Sequence, residues 1–153
     1  MRKIRNYDDL VAVGDADSRR VVLDLAEATL QRLDAYQRIR SIMRLDGDLL
    51  TIGERSWDLS RKRNVYLVGG GKAANHMAMA VDEILGDRLT KGIVIVKIAE
   101  ETDRFNRTEI HVGGHPIPNQ AGYEASLKIL ELADQAGPED LVMGVISGGS
   151  SAL

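Results

Sequence analysis

The 153-residue sequence has no cysteine, which excludes disulfides and cysteine metal sites. Aromatic residues make up only 4% of it against 44% apolar residues overall. Packing must therefore come from Val, Ile, Leu and Ala, as in helices laid on a parallel sheet. There is no excess of positive charge: 20 Lys and Arg face 23 Asp and Glu, a net charge of −3, so nothing compositional recommends a nucleic-acid partner. No apolar run approaches the roughly 20 residues of a membrane span. The start, Met1 to Asp9, lacks the apolar segment of a signal peptide. A cytoplasmic protein, with no membrane partner, is the default expectation. The length suits one α/β domain with a real core.

What is present alternates between two periodicities. Asp17-Ser18 reads as a helix cap, followed by Val22, Leu25, Ala26, Thr29 and Leu33 at helical spacing. Asp34 restarts a second helix through Tyr36, Ile39, Ile42 and Met43, giving an amphipathic hairpin expected to pack on the rest. Asp46-Gly47-Asp48 is a turn signal before a short ribbon, Leu49 to Ile52 with Trp57 to Leu59. Val65 to Val68 reads as a strand, Gly69 to Gly71 as a loop, and Met77, Ala78, Val81, Ile84 and Leu85 as one face of a helix ending at Gly86. Gly92 to Lys97 is a β-branched run, hence a strand buried on both faces. Lys97 to Thr108 is a polar, mobile surface loop anchored by Phe105. Glu109 to Val112 is a short strand, and Asn119 caps a helix that Gly137-Pro138 stops. Leu141 to Ile146 is the third long buried strand. This order predicts an α/β fold: a three-layer α/β/α arrangement with a mostly parallel, Rossmann-like sheet and helices on both faces.

Two strand-to-glycine turns carry the chemistry. In Val68-Gly69-Gly70-Gly71-Lys72-Ala73-Ala74 a strand runs through glycines into a helix N-terminus, where free N–H groups and the helix dipole favour an anion. It is not a Walker loop, because the spacer and the Ser or Thr after lysine are missing. Gly69, Gly71 and Ala74 do satisfy Gly-x-Gly-x-x-Ala, so a dinucleotide enzyme is a rival. Against it, the next strand ends at Lys97 with no acid at its tip for the ribose. Lys72, at the glycine loop and helix start, is placed to stabilise charge on a transferred phosphoryl group. Ser147-Gly148-Gly149-Ser150-Ser151 offers hydroxyls and a backbone nest at a second strand end, without the Gly-x-Ser-x-Gly of a nucleophile elbow. Of three histidines, at 76, 111 and 115, none shows metal-set spacing. His115, in a turn stiffened by Pro116 and Pro118, is the one suited to orient a ligand.

Val-Gly-Gly-Gly-Lys-Ala-Ala (68–74), Gly-Gly-His-Pro-Ile-Pro-Asn (113–119) and Ile-Ser-Gly-Gly-Ser-Ser-Ala-Leu (146–153) together resemble the N-terminal domain of class II glycerate 2-kinases. The Asp46-Gly47 turn before its ribbon is similar too. The resemblance implies transfer of the ATP γ-phosphoryl group to the 2-hydroxyl of D-glycerate with Mg²⁺. It implies Lys72 as the catalytic lysine and Gly69, Gly70 and Gly71 as the phosphate loop. It also implies Ser147, Gly148, Gly149, Ser150, Ser151 and His115 as the substrate-binding set, with no metal ligand among these residues. Members of the family are considerably longer, with a C-terminal domain that completes the active site in a cleft. Residues 1–153 are accordingly expected to be the N-terminal part of a two-domain kinase, inactive alone, with a face that favours an apolar partner or a homo-oligomer.

Two departures stand out. Ser150 replaces the third glycine of the family's Ser-Gly-Gly-Gly-Ser turn, at a cost of roughly 1 kcal/mol if that position needs a positive φ. Asn119 stands where an acid is common and keeps the capping role. An NAD(P)-dependent hydroxypyruvate reductase is the alternative activity, a name some members have carried. A non-catalytic fragment or binding module is the third reading.

Overall fold

The computed structural model describes residues 2–153. A short helix α1 (Tyr7–Val11) leads into α2 (Ala16–Arg32) and α3 (Ala35–Ile42). Asp34 caps α3, its side chain accepting a hydrogen bond from the Gln37 N–H. Three antiparallel strands follow, β1 (Met43–Asp46), β2 (Leu49–Ile52) and β3 (Arg55–Asp58), paired in sequence order. Gly47, at φ 57°, turns β1 into β2. The rest is β4 (Val65–Gly70), α4 (Ala74–Leu85), β5 (Lys91–Val96), β6 (Thr108–Val112), α5 (Gln120–Gln135) and β7 (Leu141–Ile146).

The main sheet is four-stranded and entirely parallel, in the order β6-β5-β4-β7. Alternation along β4 makes the layers. Val65 and Leu67 join Val94, Val96 and Val145 in a core with Ala74, Ala78, Val81 and Leu85 of α4. Tyr66 and Ile93 point the other way, onto Leu132 of α5. Helices thus cover both faces, as the alternating pattern predicts. Connections leave β4 toward β5 on one side, and α5 returns the chain to β7 on the other. The carboxyl ends of β4 and β7 are therefore the point where strand order reverses, the crevice in which open parallel sheets bind ligands.

Three expectations need correction. Helix α2 begins at Ala16 behind Asp15, before the expected cap at Asp17. Its apolar face is not covered, for Val22, Leu25 and Leu33 remain 65 to 73% exposed; α3, by contrast, lies against α4. Strand β7 is an edge strand with Val142 and Ile146 exposed and only Val145 buried. The connection from Lys97 is pinned at its far end by Asp82, which is 1% exposed. That carboxylate accepts hydrogen bonds from the N–H groups of Asn106 (2.9 Å) and Arg107 (3.0 Å) and from the Thr108 hydroxyl (2.7 Å). Phe105 packs on the core beside it, as expected.

Candidate functional site

The first glycine turn is tighter than its sequence suggests. Gly69 and Gly70 belong to β4, held in register with Val145 and Ile146 on one side and Val94 and Ile95 on the other. Only Gly71 lies beyond the strand. Gly69 and Gly71 are needed because β7 and the turn that follows it press against them. A Cβ at Gly69 would sit 2.1 Å from the Val145 carbonyl oxygen. Gly71 has φ 134°, and a Cβ there would lie 2.2 Å from Ser147 Oγ and 2.6 Å from the Ser147 carbonyl oxygen.

The two turns are stitched by hydrogen bonds. The Ser147 N–H donates to the Gly70 carbonyl (3.1 Å) and the Lys72 N–H to the Gly148 carbonyl (3.0 Å). The Ala73 N–H donates to Ser147 Oγ at 3.0 Å. Ala73 precedes α4 and has no side chain to cap it, so the serine hydroxyl takes over that task from another turn. Backbone donors at 72 and 73, expected to be free for an anion, are thus occupied within the protein. An anion at this point therefore cannot rely on those two donors.

Those side chains meet at Gly149. Its φ is 93°, and a Cβ there would stand 2.9 Å from His115 Cδ2 and Nε2 and 3.4 Å from Lys72 Cε. The imidazole and the lysine stem thus flank one bare stretch of backbone. Lys72 is exposed and makes no ion pair among the described residues. His115 is half-buried, and its Nδ1 is buried with no hydrogen-bond partner among the described residues. Asn119 holds the histidine turn: its Oδ1 accepts from the N–H groups of Gly114 (3.0 Å) and Gly122 (2.9 Å), capping α5. Ser150 lies against Gly70, while Gly148 and Ser151 face solvent.

Of the residues singled out from sequence, Lys72, His115 and Gly149 are therefore brought together with Gly71 and Ser147 adjoining, while Ser150 lies on the Gly70 side. The expected strain at Ser150 is absent, because no non-glycine among the described residues has a positive φ and Gly149 carries it instead. An ammonium, an imidazole and serine hydroxyls around a backbone turn suit a small anion, a carboxylate or a phosphate. They do not suit Mg²⁺, which is bound through carboxylates and phosphate oxygens; this group of residues contains no acid. One grouping was missed from sequence: His76, on the first turn of α4, lies with Glu100 and Asp103 of the following loop, their ligand atoms within 4.8 Å of one another. Residues 24 and 27 positions away carry no spacing signal.

The family model described as a domain of unknown function (DUF4147) matches residues 21–153. The chain is 39% identical over 89 residues to the D-glycerate 2-kinase of Thermotoga maritima, covering 58% of this chain and 21% of that protein. To the glycerate 2-kinase of Pyrococcus horikoshii it is 28% identical over 137 residues, covering 90% of this chain and 30% of that protein. The crystal structure of the PH0495 protein from Pyrococcus horikoshii OT3 superposes with a TM-score of 0.76 at 27% identity, over 88% of this chain and 30% of that one. The chain thus spans less than a third of the length of each of these relatives. With the match running from α2 to the last residue, the chain belongs to the DUF4147 family, the N-terminal domain family of the glycerate kinases.

Proposed function

We propose that this chain supplies one wall of the active site of a glycerate 2-kinase, which transfers the ATP γ-phosphoryl group to the 2-hydroxyl of D-glycerate. The observation that carries the reading is the convergence of Lys72 and His115 on Gly149, at the reversal point of a parallel sheet. The names of the relatives supply the substrate.

In this reading the serine turn and His115 hold the glycerate carboxylate and orient its hydroxyls. The His115 ring turns its Cδ2–Nε2 edge to Gly149, which puts Nε2 at the turn that would hold a substrate oxygen. The Lys72 ammonium faces the transferred phosphoryl group, whose equatorial oxygens carry the charge of the transition state. Its stem passes beside Gly149, which brings the ammonium to the turn where charge would develop. Ser147 keeps its oxygen for the Ala73 N–H and has its proton to give. Mg²⁺, if bound, would neutralise the nucleotide phosphates; the residues gathered at this turn include no acid to hold it. The protein works in the cytoplasm, where ATP and glycerate meet, and among the described residues no helix is long and apolar enough to cross a membrane.

The reductase alternative is weaker in the fold than in the sequence. Two of its three fingerprint positions are explained otherwise, Gly69 by strand packing and Gly71 by contact with Ser147. The strand that should end in an acid ends at Val96 and is followed by Lys97. The test is coupled detection of ADP release with D-glycerate, using the 153-residue chain and the longer protein that contains it. The longer protein should turn over and the chain alone should not. Lys72→Ala in the longer protein should lose about 10²- to 10³-fold in kcat with its melting temperature unchanged. Near-normal turnover would remove the lysine from the mechanism, and saturable NADH binding without ATP turnover would replace the kinase by the reductase.

A further inference from the structure

We propose that His76, Glu100 and Asp103 form a binding site for a divalent transition-metal ion of the Zn²⁺ or Co²⁺ type, separate from the Lys72 crevice and independent of the kinase reading. His76 projects from the first turn of α4, and the two acids come from the loop that follows β5. His76 Nε2 stands 3.4 Å from Glu100 Oε2. That is already the spacing of two ligands on a tetrahedral ion, about 3.3 Å for metal–ligand bonds of about 2.0 Å. All three ligand atoms lie within 4.8 Å of one another.

The surroundings are those of a ligand set rather than of an ordinary ion pair. Asp103 is held from behind: the Asn75 amide donates to both carboxylate oxygens (3.2 and 3.3 Å) and the Glu100 N–H to one of them (2.9 Å). Asn75 is only 2% exposed, so its orientation is fixed by the core. Outer partners of this kind orient metal-binding carboxylates. Two carboxylates share the spot, yet no Lys or Arg pairs with either among the described residues. Arg104, the nearest in sequence, spends its guanidinium on the Glu101 and Asp103 carbonyls. The imidazole offsets the repulsion only when protonated, whereas a divalent ion does so with the imidazole neutral. The nitrogen donor selects a transition metal over Mg²⁺ or Ca²⁺, which take oxygen ligands. A bound ion would clamp the loop to α4 at its near end, as Asp82 does at its far end.

The test is titration of the chelator-treated 153-residue chain with Co²⁺, read by the visible absorption of the bound ion and by calorimetry. One equivalent should bind, be displaced by Zn²⁺ and resist an equal concentration of Mg²⁺. His76→Gln and Asp103→Asn should each weaken binding by at least about 10-fold. His111→Gln, which alters the histidine on β6, should leave it unchanged. Melting curves without metal test that each variant folds; if Asp103→Asn does not, the half-buried His76→Gln decides. Absence of saturable Co²⁺ binding, wild-type affinity in His76→Gln, or loss of binding in His111→Gln alone would overturn the site.

Discussion

Replacing Gly71 by alanine tests whether the two turns are built as one unit. The substitution meets two separate obstacles. Its φ of 134° is a backbone conformation that residues with a Cβ rarely adopt, worth about 1–3 kcal/mol of strain. The new methyl would also lie 2.2 Å from Ser147 Oγ and 2.6 Å from the Ser147 carbonyl oxygen. A serine side chain can rotate away, but a carbonyl held in the turn cannot, so overpacking adds about 1–3 kcal/mol. The sum, about 2–6 kcal/mol, corresponds to a fall in melting temperature of about 4–24 °C for a chain of this size. Thermal unfolding followed by far-UV circular dichroism measures it. Gly148→Ala is the internal control, since nothing lies within 4 Å of a Cβ there and its φ is not in the left-handed region; it should melt within about 2 °C of wild type. Amide exchange at Ala73 should quicken in Gly71→Ala, because that N–H depends on Ser147 Oγ. Equal melting of the two glycine variants would refute the claim that the turns are mutually fitted.

Two further outcomes follow from buried carboxylates. Asp82→Ala orphans two backbone N–H groups and the Thr108 hydroxyl and should cost about 2–4 kcal/mol. A shift in urea midpoint with unchanged slope checks it, and a midpoint equal to wild type would contradict the pinning role. Asp140 accepts hydrogen bonds from Arg63 (Nε 3.1 Å, Nη2 2.7 Å), from both nitrogens of Asn64 and from the Gly137 N–H. The Arg63 guanidinium, then the Gly137 N–H, hold its carboxyl well below the usual carboxylate range. A depressed folded value means stability that is fully present above the unfolded pKa of about 4 and is lost as pH falls through the folded one. Urea midpoints should therefore drop from pH 5 downward, and Asp140→Asn should flatten that drop; an unchanged acid slope would assign the loss to other groups.

The layer order was legible because it rests on local pattern. The β-branched run at 92–96 and the helical spacing around Val81 each name their own element, and alternation of such elements implies a parallel sheet. Burial was less legible. The periodicity of Val22, Leu25 and Leu33 says that they share a face, but not whether anything covers it, and they are exposed. The apolar run at 141–146 does not reveal that its strand has a neighbour on one side only. Glycine at a strand end reads as loop, yet pairing with β5 and β7 carries β4 through Gly69 and Gly70, since the ladder outweighs a weak local propensity. The meeting of His76 with Glu100 and Asp103 depends on where a polar loop returns, which no spacing rule encodes.

Ser150 shows how the candidate site sharpens once dihedral angles are known. Judged from sequence, a serine in a glycine-rich turn threatens the turn itself. In the fold the positive φ falls one residue earlier, at Gly149, and Ser150 takes an ordinary conformation against Gly70. Gly149 is constrained twice over, by its φ of 93° and by the His115 ring that a Cβ would meet at 2.9 Å. Both constraints act at the position that Lys72 also approaches. The demand for glycine in this turn therefore has two sources, its own dihedral angle and the imidazole packed beside it, with the Lys72 stem 3.4 Å from the same point.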